Sequence, residues 1–265
     1  GNDTDDDGIP GLDPPTQIPG TQRQWVINAW TARANWGYDT RNDYLLPTAG
    51  MSHRVQAEVG LPGSDLEYFR ISYDFEHYWH PRFAPWVILK SAVSLGYGDS
   101  YGDTHKAQCL SFAQSGLPVP GSADACGLPF YKNFFAGGPG SVRGFTANTL
   151  GPTTNFGGFS QVQPLGGAVK TIGTFEFYFP RLLNGVQGSR ISAFVDYGNV
   201  YARPGEFEFN QFRISTGIAL QWQSPVGPIS ISYAIPLDYA RECKGGVPYP
   251  ACAPDDIERL QFTFG

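Results

Sequence analysis

The sequence predicts an all-β protein whose strands cross a membrane as part of an antiparallel β-barrel. Three observations carry this expectation. Apolar residues recur at every second position, no apolar run approaches the roughly 18 residues that a membrane helix needs, and short and long connections alternate along the chain. Composition agrees: of 265 residues, 33 are Gly, 22 Pro, 19 Phe and 14 Tyr, one is Met and 16% are charged, a mixture poor in helix formers. The net charge of -6 and the lack of a basic stripe interleaved with aromatics argue against nucleic acid as a partner. The first residues show no basic region followed by an apolar stretch of the kind that marks a secretory signal.

Residues 1–24 hold five aspartates, several prolines and glycines and almost nothing apolar, which predicts an exposed extracellular loop or tail. From Trp25 to Gly265 the period is two. Val55, Ala57 and Val59 alternate with Arg54, Gln56 and Glu58; Phe69, Ile71, Tyr73 and Phe75 alternate with Arg70, Ser72, Asp74 and Glu76. The same parity runs through Val87, Leu89, Val93, Leu95 and Tyr97, then through Val169, Phe175, Phe177 and Phe179 against Lys170, Thr174 and Glu176. Ile191, Ala193, Val195 and Tyr197 alternate with Ser192 and Asp196; Phe212, Ile214, Ile218, Leu220 and Trp222, then Ile229, Ile231, Tyr233 and Ile235, and finally Leu260, Phe262 and Phe264 complete the series. This amounts to about nine strands, each long enough to cross a bilayer at a tilt, which takes roughly 9–11 residues.

Tight turns are predicted at Pro47–Gly50, His80–Pro85, Pro180–Gly188 and Ser224–Gly227. The intervening links are longer: a large insertion over residues 98–166, then Arg203–Gln211 and Ala240–Asp256, with the short Leu61–Glu67 as the exception on that side. A soluble β-sandwich also alternates, but its solvated face is rich in Lys and Glu, whereas the polar parity here carries Gly, Ser, Thr, Gln and scattered opposite charges. Trp25, Trp36, Tyr78, Trp79, Trp86 and Trp222, close to strand ends, fit aromatic girdles at a membrane interface.

Within the insertion, Val142-Arg143-Gly144-Phe145 places one arginine in a glycine-rich run with no acid nearby in sequence. A guanidinium taken out of water needs a charged partner. Glu176 and Asp196 lie on the polar parity of the strands that follow, and are candidates; the plain alternative is a solvated loop arginine. Read as a catalytic acid pair, the two carboxylates lack any neighbouring group to share the chemistry, and no enzyme activity is expected. His53, His77, His80 and His105 do not share metal-ligand spacing, so no metal or other cofactor is expected. The cysteines form two local pairs, Cys109 with Cys126 and Cys243 with Cys252, each inside one long loop. Four cysteines allow three pairings; two loop-closing disulfides suit an oxidising compartment, and zinc is disfavoured because neither pair is a Cys-x-x-Cys.

Several stretches together resemble the BamA family of outer-membrane protein assembly factors, within the wider superfamily of outer-membrane assembly and secretion barrels. They are Trp36-Gly-Tyr-Asp-Thr-Arg-Asn-Asp43, Leu46-Pro-Thr-Ala-Gly50, Leu61-Pro-Gly-Ser-Asp-Leu-Glu-Tyr-Phe69, Pro129-Phe-Tyr-Lys-Asn-Phe-Phe-Ala-Gly-Gly138, the Val142–Phe145 motif and Gly217-Ile-Ala-Leu-Gln-Trp-Gln-Ser-Pro-Val-Gly-Pro228. The resemblance implies the second half of a barrel of about sixteen strands, preceded in the family by periplasmic POTRA domains, in the outer membrane of Gram-negative bacteria. It implies that the long loop folds into the barrel, with Arg143 meeting Glu176 in Phe175-Glu-Phe177 and Asp196 in Val195-Asp-Tyr-Gly198. It also implies that the last strand, Ile257–Gly265 with Leu260, Phe262 and Phe264, forms one side of a lateral seam. The implied activity is the folding and insertion of client β-barrel proteins, with membrane lipid and accessory assembly lipoproteins as further partners. A secretion barrel is the alternative within the superfamily, and a passive porin the alternative outside it.

Overall fold

The computed structural model describes residues 28–102, 127–154, 163–180, 188–203, 205, 207–240 and 255–264. Its strands, numbered along the chain, are β1 (Thr31–Asp39), β2 (Gly50–Gly60), β3 (Tyr68–Trp79), β4 (Ile88–Ser100), β5 (Gly144–Phe145), β6 (Thr153–Thr154), β7 (Gln163–Pro164), β8 (Val169–Phe179), β9 (Ser189–Tyr201), β10 (Arg213–Ser224), β11 (Gly227–Asp238), β12 (Ile257–Glu258) and β13 (Leu260–Phe264). Nine of them form one sheet in the order β1-β2-β3-β4-β8-β9-β10-β11-β13. Every neighbouring pair is antiparallel. The departure from sequence order at β4–β8 is the long insertion, which leaves the wall after β4 and returns to it at β8.

The parity of the sequence becomes the two faces of this sheet, because successive side chains of a strand point to opposite sides. Phe175, Phe177, Ile218, Leu220, Ile231, Tyr233, Leu260 and Phe262 are exposed. Glu176, Ser192, Asp196, Ser215, Ser232 and Gln261 are at 4% exposure or below. Polar groups inside and apolar groups outside is the inverse of a soluble sandwich, whose inner faces are apolar. It is the arrangement of a wall with hydrocarbon on one side. The sheet curls toward its polar face: Arg190 on β9 donates to the Pro47 carbonyl in the β1–β2 turn at 3.2 Å, reaching across to the far wall. The concave side holds a cavity of about 910 Å³ whose lining includes Arg54, Asp74, Glu76, Lys90 and Lys170.

The short turns among the described residues are closed by local bonds. Asn42 Oδ1 accepts the amides of Thr48 and Ala49, and Asp43 Oδ1 accepts those of Leu45 and Leu46, which keeps this turn carboxyl below its ordinary pKa. In the Ser224–Gly227 turn, Ser224 Oγ donates to the Gly227 carbonyl at 2.6 Å. His80 Nδ1 lies 3.1 Å from the Pro85 carbonyl oxygen and His77 stacks on Trp79, so both serve the turn region. His53 meets the Tyr73 hydroxyl at 2.9 Å, and no group of three metal-ligating side chains occurs among the described residues.

Two expectations need correction. Tyr78 is not part of an outer girdle: it is 4% exposed and packs on the inner face with Ile88 and Tyr178, whereas Trp36, Trp86 and Trp222 are exposed. The last strand is not continuous either. It breaks at Arg259 into β12 and β13, and only β13 pairs with β11, from Tyr233↔Leu260 to Ile229↔Phe264. Residues 1–24, Trp25, His105, Gly265 and all four cysteines, and with them both expected disulfides, lie outside the described residues.

With this face apolar, a charge placed there is expected to be costly in a bilayer although the site is exposed. Ile231→Arg, near the middle of β11, should destabilise the inserted protein by about 2–4 kcal/mol, read as a shift in urea unfolding from lipid vesicles. A neutral effect, as for an exposed residue in water, would contradict the assignment of this face.

Candidate functional site

The site forms where the insertion re-enters the concave face over β8, β9 and β10. On β8, Glu176 faces inward; it is the rung partner of Phe194 on β9 and of Lys90 on β4. Two residues further along β9 stands Asp196, beside Ser215 of β10. Phe194 breaks the polar parity of β9 by putting an aromatic ring between Ser192 and Asp196. Its presence there is explained by what lies on it: the Arg143 guanidinium carbon is 3.4 Å from the ring centroid.

Arg143 uses its whole fork. Nε donates to Asp196 Oδ2 at 2.7 Å and Nη2 to Oδ1 at 2.9 Å, a bidentate pair, while Nη1 donates to Glu176 Oε1 at 3.2 Å. The backbone N–H of Arg143 also donates to Asp196 Oδ2, at 3.1 Å. Glu176 is completed by Ser192 Oγ at 2.6 Å and by the Tyr178 hydroxyl at 2.9 Å. All three charged groups are buried, at 8%, 3% and 0% exposure for Arg143, Glu176 and Asp196. Burial alone would weaken the cation; the hydrogen bonds and charge of Asp196 and Glu176 outweigh it and hold the guanidinium's pKa above its ordinary value. Arg143 is therefore a fixed positive charge, and the site carries no free carboxylate oxygen placed for proton transfer.

The neighbours of Arg143 in the motif fix its approach. Val142 and Phe145, both at 0% exposure, pack with Ala136, Leu150, Ile172 and Val200, an apolar plug on the otherwise polar face. Gly144 has φ +90°, and a Cβ there would come within 3.0 Å of the Ala234 Cβ on β11. The positive φ strains any other residue there, and the Ala234 Cβ leaves little room for a side chain.

Gln261 on β13 is the residue that parity alone does not single out. Its Oε1 accepts the Gly144 amide at 3.3 Å and its Nε2 donates to the Phe145 carbonyl at 2.7 Å. Just beyond it, β12 pairs with β5 through Ile257↔Phe145 and Glu258↔Gly144, and the Thr146 amide donates to the Asp256 carbonyl at 3.0 Å. The motif is thus bound on one side to the β8–β9 wall by charge and on the other to the final strand by backbone pairing. The outer part of the expected seam strand is spent on the loop, while Leu260, Phe262 and Phe264 of β13 stay exposed.

Residues 21–265 match the Omp85 superfamily domain. The chain belongs to the Omp85 superfamily. Among curated Omp85 relatives, the outer membrane protein assembly factor BamA of Neisseria meningitidis serogroup B is 28% identical over a 273-residue alignment, which covers 93% of this chain and 29% of that protein. BamA of Nitratidesulfovibrio vulgaris is 23% identical over 214 residues, covering 80% of this chain and 23% of that one. The chain therefore spans less than a third of the length of these relatives. The crystal structure of BamA from Haemophilus ducreyi lacking POTRA domains 1-3 superposes with a TM-score of 0.65 at 28% identity, over 88% of this chain and 41% of that one. The described wall thus corresponds to a portion of a BamA-type barrel, an outer-membrane fold.

Two outcomes follow for this Omp85 wall. Arg143→Ala strands two buried carboxylates, which costs about 3–5 kcal/mol, so amide exchange across Val142–Thr146 should accelerate by about two orders of magnitude or more. Arg143→Lys should fall between the two, since an ammonium does not reproduce the bidentate fork; unchanged exchange in Arg143→Ala would refute the latch. Gln261→Leu keeps the volume and removes both amide bonds, so the Thr146 and β12 amides should exchange about tenfold faster while the Arg143 amide stays protected on Asp196. Equal loss at both places would mean that Gln261 has no separate role.

Proposed function

We propose that the chain is the C-terminal part of the barrel of an outer-membrane assembly factor that folds and inserts other β-barrel proteins. The observation that carries this reading is the division of the final strand. A passive pore gains nothing from splitting its last strand, whereas an insertase needs an edge whose backbone groups are released on demand. Here β12 holds its partners in the loop, and β13 presents Leu260, Phe262 and Phe264 beside it. The similarity to BamA from two organisms, each named as an outer membrane protein assembly factor, supports the same reading.

The role is conformational rather than catalytic. Glu176 and Asp196 hold a cation, and the ligands that occupy their oxygens leave no acid–base pair. The partners are client β-barrel proteins at the final strand, lipid on the exposed apolar belt and accessory assembly lipoproteins.

The test uses the full-length protein in cells depleted of their own assembly factor. The wild-type protein should restore client levels, Arg143→Ala should restore them poorly, and bilayer recordings should show small, intermittent openings. Large steady conductance without rescue would favour a porin, and export of one secreted protein without rescue would favour a secretion barrel.

A further inference from the structure

The long insertion touches the wall at a second place, far from Arg143. Four residues lie on one inner rung of β1–β4: Arg33 opposite Glu58, Glu58 opposite Arg70, and Arg70 opposite Gly98. The segment from Leu128 to Phe134 lies directly on this rung. Lys132 Nζ is 2.7 Å from Glu58 Oε1, and the same carboxylate oxygen takes the Tyr68 hydroxyl and, at 3.3 Å, Arg33 Nη2. The Phe134 ring sits under the Arg70 guanidinium, 4.4 Å from its carbon, and Lys132 Nζ is 5.2 Å from the Tyr68 ring centroid.

The wall is shaped to receive this segment. A Cβ at Gly96 would lie 2.7 Å from the Phe134 ring, and one at Gly98 would lie 2.8 Å from Leu128 Cδ1. Two glycines two apart on β4 therefore open two sockets on the same face, and Leu128 and Phe134 fill them. Tyr68, Leu128, Phe134 and Ala168 form a closed apolar cluster there. Backbone bonds finish the seat: the Phe134 amide donates to the Gly167 carbonyl at 2.8 Å and the Gly167 amide returns to the Phe134 carbonyl at 2.9 Å.

We propose that Leu128–Phe134 is a second anchor of the insertion, with Lys132 and Glu58 as its positioning pair. It is independent of Arg143, so the insertion is strapped across the lumen between β2–β4 and β8–β9. Withdrawing Arg143 then frees the Val142–Phe145 arm and the final strand while the root of the insertion stays seated. The two anchors share no residue and no hydrogen-bond partner, and each has its own apolar cluster. Holding the root fixed keeps the freed arm within reach of its seat, so re-engagement is an intramolecular step at high effective concentration.

Amide exchange of the full-length protein in lipid nanodiscs reads the two segments separately and does not depend on insertion activity, which is measured in parallel. Lys132→Met and Glu58→Gln should each raise exchange over residues 131–134 by about tenfold, leave 142–146 within about twofold, and be no worse when combined. Lys132→Arg should keep the protection, and Arg143→Ala should open 142–146 while 131–134 stays closed. Loss of protection in both segments together in any single variant, or none in Lys132→Met, would overturn the proposal. Absence of insertion activity in the wild-type protein, with this exchange pattern intact, would count against the assembly function alone.

Discussion

One buried cation orders this half of the wall. Arg143 lies against Phe194 with Asp196 and Glu176 around its guanidinium, out of water on a face otherwise lined by polar groups. In such a place an unpaired charge costs several kcal/mol, so three groups from three segments of chain must meet or none can stay. Their positions set much else: Glu176 draws in Ser192 and Tyr178, and Gly144 must bend to bring Arg143 to Asp196. Val142 and Phe145, flanking the arginine and its glycine, close the apolar plug that keeps water away.

The second consequence concerns hydrogen bonding at the end of the sheet. In lipid, a strand edge with unsatisfied backbone groups is costly, and β13 and β12 solve this differently. β13 is satisfied along one side by β11, while β12 turns from the wall at Arg259 and takes its bonds from β5 in the loop. The bonds that hold the motif are thus bonds the final strand would otherwise offer to a strand beside it. Gln261, on the wall but bonded to the Gly144 amide and the Phe145 carbonyl, ties the final strand to the loop.

Much of this is written in the period of the chain. Strand positions and the inverted faces follow from a side-chain period of two, and parity places Glu176 and Asp196 on the inner face where Arg143 lies. What period two does not convey is reach. Gln261 reads as one more inward polar residue until the loop is seen above it, and Gly96 and Gly98 read as ordinary strand glycines until Phe134 and Leu128 fill them. Tyr78 misleads for the same reason: near a strand end beside Trp79 it resembles a girdle residue, yet its parity is inward and it pairs with Ile88 and Tyr178. The break at Arg259 does leave a mark in the alternation: Ile257 is out of phase with Leu260, Phe262 and Phe264, and Glu258 falls on their parity. Aromatics at inward positions, Phe194 and Tyr178, were the available sign that something cationic would cover them.

Arg143 and the two acids act as one unit. A double-mutant cycle between Arg143→Ala and Asp196→Asn in the full-length protein, read as amide exchange over residues 142–146, tests it most directly. If the account is right, the double variant opens the segment no more than the worse single variant does, because removing either partner already removes the pair. Independent, additive effects of the two substitutions would contradict it.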